Sequence, residues 1–364
     1  PKKGGTITSL VANFLNNKEF VDKANPIYFN ELRGNFHDNG GLRSSAENPA
    51  TVTILEKGAE IVKIQINGTI ADNPFTQVIT IMRGEPRIDM QVIINWTGNQ
   101  EIGEYTLPGT FKFTNNKKAF YNDKQKLLLA FPLNLKRQRV YKDAPFDVLE
   151  SRLKNTFFTS WDSIKNNIIL NWVDVTNSDN SYGMALFTDH TTNYEHGEDF
   201  PLGLTLAYSG IGLWGRDYKI AVATNVHYAL MPHAGKWDKS HIYTAAANWN
   251  EPLITKISAT KPIKNEWSML NIKGDGLNVT DMSADGNNII IRLFNAEGDD
   301  SLKIITFNGS ADKAEQITLN GEKIIAIPLK KDANGKESMM IGMPRFGILT
   351  IKLFNVKAAG TNNI

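Results

Sequence analysis

Five of the six histidines, His190, His196, His227, His233 and His241, fall within residues 183–241, a run that also holds Trp214, Trp237 and a chain of glycines. Scaffold strands repeat apolar residues at period two; this run interrupts them with Gly, His, Asp, Arg and Trp, as loops carrying function do. The histidines invite a metal reading. His190 and His196 are six positions apart, as are His227 and His233. That spacing puts neither pair on one helical face, and along a strand it holds both on one side but roughly 20 Å apart. There is no HExxH motif, so a zinc site would require convergence of distant segments, against the ordinary alternative of hydrogen-bonded histidines.

Asp189, Glu195, Glu198, Asp199 and Asp217 supply carboxylates of the kind a glycosidase pairs, one protonating the leaving oxygen while the other attacks or activates water. Solvated loop acids are the plainer reading, and separation in space decides between them. In GLWGRD, Trp214 offers an aromatic face for a sugar ring beside Arg216 and Asp217, whose charges can bond hydroxyls. A core tryptophan with a structural Arg216–Asp217 contact reads the same residues equally well. Trp237 in HAGKWD reads as structural, and His233, after Met231 and Pro232, as a residue that orients its loop through backbone bonds. A mutarotase-type epimerase would need a general acid and base across a bound sugar, for example His190 or His233 with Glu195. A lectin-like module would line a shallow groove with Trp214, Arg216 and Asp217. No Ser-His-Asp elbow or phosphate loop is present.

The elements that must position these groups read as strands. Val62, Ile64 and Ile66 alternate with polar residues, as do Ile88, Met90, Val92 and Ile94, with FTQVITI at 75–81 between them and turns at ADNP and RGEP: an antiparallel meander. Residues 5–15 read as an opening strand and 16–50 as loop. Short runs follow at 127–131, 168–173, 184–188, 202–208 and around 219–231, predicting a large sandwich of antiparallel sheets. One helix is expected in SHIYTAAANW, capped by Ser240 and ended by Pro252. After Pro262 and Trp267 a second strand series, with an Asn-Gly hairpin turn in LNGEK, predicts a separate small sandwich. The expected domains are therefore 1–267 and 268–357, with a tail at 358–364.

Forty Lys and Arg against 38 Asp and Glu leave no field that favours nucleic acid or an anionic membrane. The absence of cysteine removes disulfides, thiolate zinc sites and thiol catalysis. No apolar run approaches the roughly 18 residues of a membrane helix. Pro1 opens the chain with no initiator Met or signal segment before GGTITSL, so a piece of something longer is expected.

The order LNWVDV (170–175), GMALFTDHTTNY (183–194), PLGLTLAYSG (201–210), GLWGRDY (212–218), YALMPHAGKWD (228–238) and Ala245–Asn250 with Glu251-Pro252 resembles the C-terminal half of glycoside hydrolase family 38 α-mannosidases. GGTITSLV near the start, and IIIRLFN, LNGEK and MPRFGILTIKLF near the end, extend the resemblance over nearly the whole chain. It implies a galactose mutarotase-like supersandwich followed by a small β-sandwich. It also implies that catalysis lies elsewhere: in the family a zinc ion, its His and Asp ligands and a nucleophilic Asp belong to an N-terminal α/β barrel joined through a helical bundle. The expected function is thus the noncatalytic β-region of a retaining α-mannosidase, partnered by that barrel and bundle and by mannosides, with zinc only in the missing domain. The resemblance leaves the compartment open between bacterial periplasm and cytoplasm. The loop matching Asp189–Tyr194 approaches the family's active site, which makes Asp189, His190, Thr191 and Tyr194 the expected cleft-facing residues. Many relatives place Arg where His190 and Thr191 stand, and often Lys where Met282 stands.

Overall fold

The structure is a computed structural model describing residues 3–103, 123–154, 167–211, 217–220, 222–251, 253–257, 267–274, 276–331 and 336–358. These residues build antiparallel sheets, with a single α-helix among them at Ile242–Asn250, and the fold is all-β as expected. None of their helices is long and apolar enough to cross a membrane. The chain divides into two compact units, Pro1–Ala144 with Val148–Ser240 and Pro145–Asp147 with His241–Ile364.

In the first unit the meander Thr51–Lys57, Ile61–Ile70, Asn73–Met82 and Ile88–Ile94 forms one side of a nine-stranded sheet. The sheet continues through Thr224–Ala234, Tyr182–Thr188, Trp172–Thr176, Arg139–Ala144 and Asp147–Ser151. Period-two alternation buries Ile88, Met90, Val92 and Ile94 and leaves Asp89, Gln91 and Ile93 partly exposed. A six-stranded sheet runs Ile168–Ile169, Thr192–Gly197, Phe200–Ala207, Leu127–Phe131, Glu31–Phe36 and Gly41–Ser44. The two share one core, to which Val92, Met184, Leu186 and Leu230 come from the larger sheet and Leu32, Leu129, Phe131 and Leu204 from the smaller. Each such side chain contributes on the order of 1.5–3 kcal/mol by leaving water. Leu127–Phe131, LLLAF, is buried at every position, as a continuous apolar run requires.

One polar network crosses this core. Asn30, in the left-handed region at φ 64°, gives its backbone N–H to Ala130 O at 2.7 Å. Its side chain accepts from the Tyr228 hydroxyl at 2.8 Å and donates to Gln77 Oε1 at 2.9 Å. All three side chains are buried, so each polar atom depends on its neighbour for what water would otherwise supply.

The structure departs from the sequence reading in several places. Within 5–15 only Val11–Ala12 is strand, followed by the 3-10 turn Asn13–Leu15. The loop expected over 16–50 contains Glu31–Phe36, an interior strand of the smaller sheet. Residues 168–173 are not one strand: Ile168–Ile169 belongs to the smaller sheet and Trp172–Thr176 to the larger. The crossing at Leu170–Asn171 is held by buried Asp143, whose carboxylate accepts their N–H groups at 2.9 and 2.6 Å. Burial pushes the Asp143 carboxyl upward despite those bonds.

The second unit pairs a four-stranded sheet (Leu270–Lys273, Lys303–Phe307, Glu337–Ile341, Lys330–Lys331) with a five-stranded one (Leu277–Asp285, Asn288–Asn295, Ile348–Phe354, Lys313–Ile317, Lys323–Ile327). They enclose Ile291, Leu293, Ile305, Phe307, Ile351 and Leu353. Gly321, at φ 87°, makes the LNGEK turn. The helix is not capped by Ser240. His241 stands at the cap position in left-handed geometry with no side-chain cap bond, and the Glu297 carboxylate takes the Thr244 N–H at 3.1 Å and the Thr244 hydroxyl at 2.9 Å. An acid from a distant turn thus serves the positive end of the helix.

Tyr228→Phe should preserve packing but strand the Asn30 side-chain oxygen, costing about 1–3 kcal/mol. Equilibrium urea unfolding measures this; an unchanged midpoint would show that the network carries no stability.

Candidate functional site

The strands Tyr182–Thr188 and Thr224–Ala234 pair from Tyr182↔Ala234 to Thr188↔Tyr228. Met184, Leu186, Tyr228 and Leu230 face the shared core, so Gly183, Ala185 and Phe187 face the other way with Ala229, Met231 and His233. Continuing that alternation past Thr188 carries Asp189 onto the face of His227. Asp189 Oδ1 lies 2.6 Å from His190 Nδ1, and Oδ2 lies 3.1 Å from His227 Nδ1. A carboxylate only accepts, so both Nδ1 atoms donate. In the neutral rings Nε2 then carries the lone pair, free to accept from a hydroxyl or take a proton. The Thr188 hydroxyl donates to His190 O at 2.9 Å and shapes the turn. Asp189, His190, Thr191 and His227 are all exposed.

Of the other expected residues, Tyr194 does not face a cleft. It lies on the inward side of Thr192–Gly197, fully buried in the core, with its hydroxyl donating to Ser151 Oγ at 2.6 Å. Burial pushes its ionisation upward. Asp217 is exposed in Asp217–Tyr218 and pairs with Lys219 at 3.3 Å. Trp214 and Arg216 lie outside the described residues. The residue missed by sequence reasoning is His227, which is 38 positions from Asp189 and reaches it only through strand register.

His233 is buried at the opposite end of the same strand pair. Its Nε2 donates to Asp174 Oδ1 at 2.8 Å and its Nδ1 lies 3.1 Å from Ser240 Oγ. Ser240 gives its own proton to Ala234 O, so Nδ1 donates as well and the ring is an imidazolium. Burial works against that charge, but the adjacent Asp174 carboxylate outweighs it and holds the His233 pKa above the ordinary value. Gly183 sits opposite His233; a Cβ there would lie 2.4 Å from the imidazole. Trp237 covers this end, its ring centroid 5.8 Å from that of Trp172. With both nitrogens taken, His233 has none to offer a substrate; where the sequence reading expected loop-orienting backbone bonds, its ring meets the Asp174 and Ser240 side chains.

The remaining histidines disperse. His196 is buried with Nδ1 on Phe200 O at 3.0 Å, and His241 meets Glu297 at 3.1 Å. Among the described residues no group of three or more His, Cys, Asp or Glu could hold a metal ion.

Residues 34–210 match the family model described as "Glycosyl hydrolases family 38 C-terminal domain". Over that segment, a little under half of the chain, the sequence is that of a glycosyl hydrolase family 38 C-terminal domain. Its fold agrees with the crystal structure of an alpha-mannosidase from Enterococcus faecalis V583, at TM-score 0.63 and 14% identity, over 95% of this chain and 41% of that one. A second structure, of a protein in the glycosyl hydrolase family 38 from Enterococcus faecalis, agrees at TM-score 0.63 and 14% identity over 95% of this chain and 42% of that one. This chain therefore spans about two-fifths of the length of either protein. No curated protein matches its sequence. Within the family 38 domain, Asp189 and His190 occupy the turn at the end of Tyr182–Thr188, and the matched segment ends at Gly210, before His227 and His233.

His233→Ala would leave Asp174 buried without its counter-charge and should cost about 3–5 kcal/mol near pH 6. Because the folded-state pKa is raised, the stabilisation from His233 is fully present below about pH 6.5 and is lost as pH rises through the folded value. An NMR titration of the His233 ring should place its midpoint above that of a free histidine; a midpoint at or below it would contradict the assignment.

Proposed function

We propose that this chain is the noncatalytic C-terminal β-region of an α-mannosidase, packing on an N-terminal catalytic barrel and shaping its carbohydrate cleft through the Asp189 turn. The observation that carries the reading is the fold agreement over 95% of this chain with only 41% of an alpha-mannosidase, together with the family 38 match over residues 34–210. Two features support it. The strand Thr51–Lys57 edges the larger sheet, is exposed along its whole length and presents Val52, Ile54 and Leu55 to solvent; a neighbouring domain is the usual cover for such an edge. The Asp189, His190 and His227 trio is exposed and offers two imidazole acceptors of fixed orientation, suited to sugar hydroxyls.

Zinc, implied by the family resemblance, belongs in this proposal to the region outside the chain. The described residues do not assemble a ligand set for it. The contribution of this chain is positional: Asp189 holds His190 and His227 so that each ring meets a ligand already oriented, which lowers the ordering cost of binding.

The test is hydrolysis of an aryl α-mannoside by the 364-residue chain and by the same chain extended through its native N-terminal region, each with zinc and with chelator. Activity is expected only in the extended, metal-loaded protein; hydrolysis by the 364-residue chain alone would overturn the proposal. In the extended protein, Asp189→Asn and His227→Ala should raise KM roughly three- to tenfold with little change in kcat, as loss of uniform binding does.

A further inference from the structure

Two aromatic rings meet at the surface of the first unit on backbone that is strand-paired or hydrogen-bonded. Tyr208 is 50% exposed and Tyr218 36%. Their ring centroids are 5.7 Å apart and their planes inclined at 53°, so the two rings touch as a tilted, wedge-shaped pair whose outer faces, not the space between them, could meet a ligand. Tyr208 is clamped on both sides. Ala207 pairs with Leu127 in the smaller sheet, and Ser209 exchanges backbone bonds with Ile102, 2.9 Å from its N–H and 3.2 Å to its oxygen. Tyr218 is registered against Gly210, which takes φ 109°. Gly103, beside Tyr208, is fixed in turn, its carbonyl accepting from Asn35 Nδ2 at 2.7 Å and His37 Nε2 at 2.8 Å.

The charges that the described residues place beside the wedge are paired. Lys126 Nζ stands 5.0 Å from the Tyr208 ring centroid and is paired with Asp123; Asp217 is paired with Lys219. Neither tyrosine hydroxyl bonds to a described residue. Among the described residues the wedge therefore offers aromatic rings and phenolic hydroxyls beside charges that are each paired, Lys126 with Asp123 and Asp217 with Lys219. A neutral pyranoside matches it: the C–H face of the sugar lies on an aromatic ring while its hydroxyls meet the phenols. We propose that Tyr208 and Tyr218 form a stacking wedge that binds a neutral pyranoside of a glycan chain. The choice of a sugar over another apolar-faced ligand rests on the proposed mannosidase role. The wedge itself rests on ring exposure, inclination and the backbone pairings of Ala207, Ser209 and Tyr218, which lower the ordering cost of binding.

The experiment uses the whole 364-residue chain with methyl α-mannopyranoside and an α-linked mannotriose, followed by saturation-transfer NMR and calorimetric titration. A proline-rich peptide serves as a competing probe for aromatic surfaces. The trisaccharide should bind weakly and shift the Tyr208 and Tyr218 ring resonances of the wild-type protein. Tyr208→Ala and Tyr218→Ala should each weaken it roughly five- to tenfold, while Tyr208→Phe retains most of the affinity because the ring remains. Leu319→Ala, an exposed change in the second unit, should leave this binding unaltered. Absence of saccharide binding, binding that moves other resonances and survives both alanine changes, or binding of the peptide alone would each overturn the proposal. The wild-type resonances give the answer even where a variant folds poorly. Mannoside hydrolysis by the extended protein is a separate readout, so loss of the wedge and loss of the mannosidase reading are told apart.

Discussion

The register between Tyr182–Thr188 and Thr224–Ala234 is the constraint on which the rest depends. Alternation along both strands sends Met184, Leu186, Tyr228 and Leu230 into the shared core. Sliding either strand by one residue would turn those side chains outward and bring Ala185, Phe187, Ala229 and Met231 inward, which is why a buried face specifies register so strongly. The same register fixes chemistry at both ends. At one end it sets Gly183 against His233, where only a glycine leaves room for the imidazole; at the other it delivers Asp189 to His227.

The core that enforces this register is bound by a few polar anchors as well as by apolar area. Asn30, just before a strand of the smaller sheet, bonds both Gln77 and Tyr228 of the larger one, and Asp143 secures the place where the chain passes from one sheet to the other. Such groups contribute modestly when satisfied and cost much when orphaned. Their effect is specificity: a collapsed sandwich with another register would leave them unpaired in the interior. The hydrophobic area drives association of the sheets, and the anchors restrict which association is tolerated.

The parts of the fold legible in the sequence were those where one physical signal acted alone. Residues 61–94 alternate cleanly because one sheet face is buried, and LLLAF is apolar throughout because it is an interior strand covered on both sides. Glu31–Phe36, ELRGNF, was obscure because its polar residues are satisfied by tertiary partners: Glu31 accepts from the Ser44 hydroxyl and the Tyr28 N–H. Gly34, moreover, is set where a Cβ would come within 3.1 Å of the Leu127 backbone. In the candidate site, Asp189 and His190 were visible as neighbours, whereas His227 and the Asp174–His233 pair needed a register that local sequence does not state. Tyr194 misled because a tyrosine in a polar loop motif looks available to a ligand; its place on the inward side of a two-periodic strand put it in the core.

The same chemical pairing, imidazole with carboxylate, occurs at both ends of one strand ladder with opposite consequences. Around His233 and Asp174 water is excluded, so separating the charges would leave a bare ion in the interior. The pair is locked, and both ring nitrogens are consumed in locking it. Around Asp189 solvent screens the interaction, and an exposed ion pair adds little to stability. What the exposed trio retains is geometry: one carboxylate aligns two rings, His190 from its own turn and His227 from the neighbouring strand, and uses only one nitrogen of each. The stabilising capacity of the pairing is thus realised at the buried end, and its capacity to meet a hydroxyl survives only at the exposed one. Burial rather than residue type separates the two settings, which is why six histidines in a sequence could not by themselves reveal which of them is locked in the interior and which is left exposed.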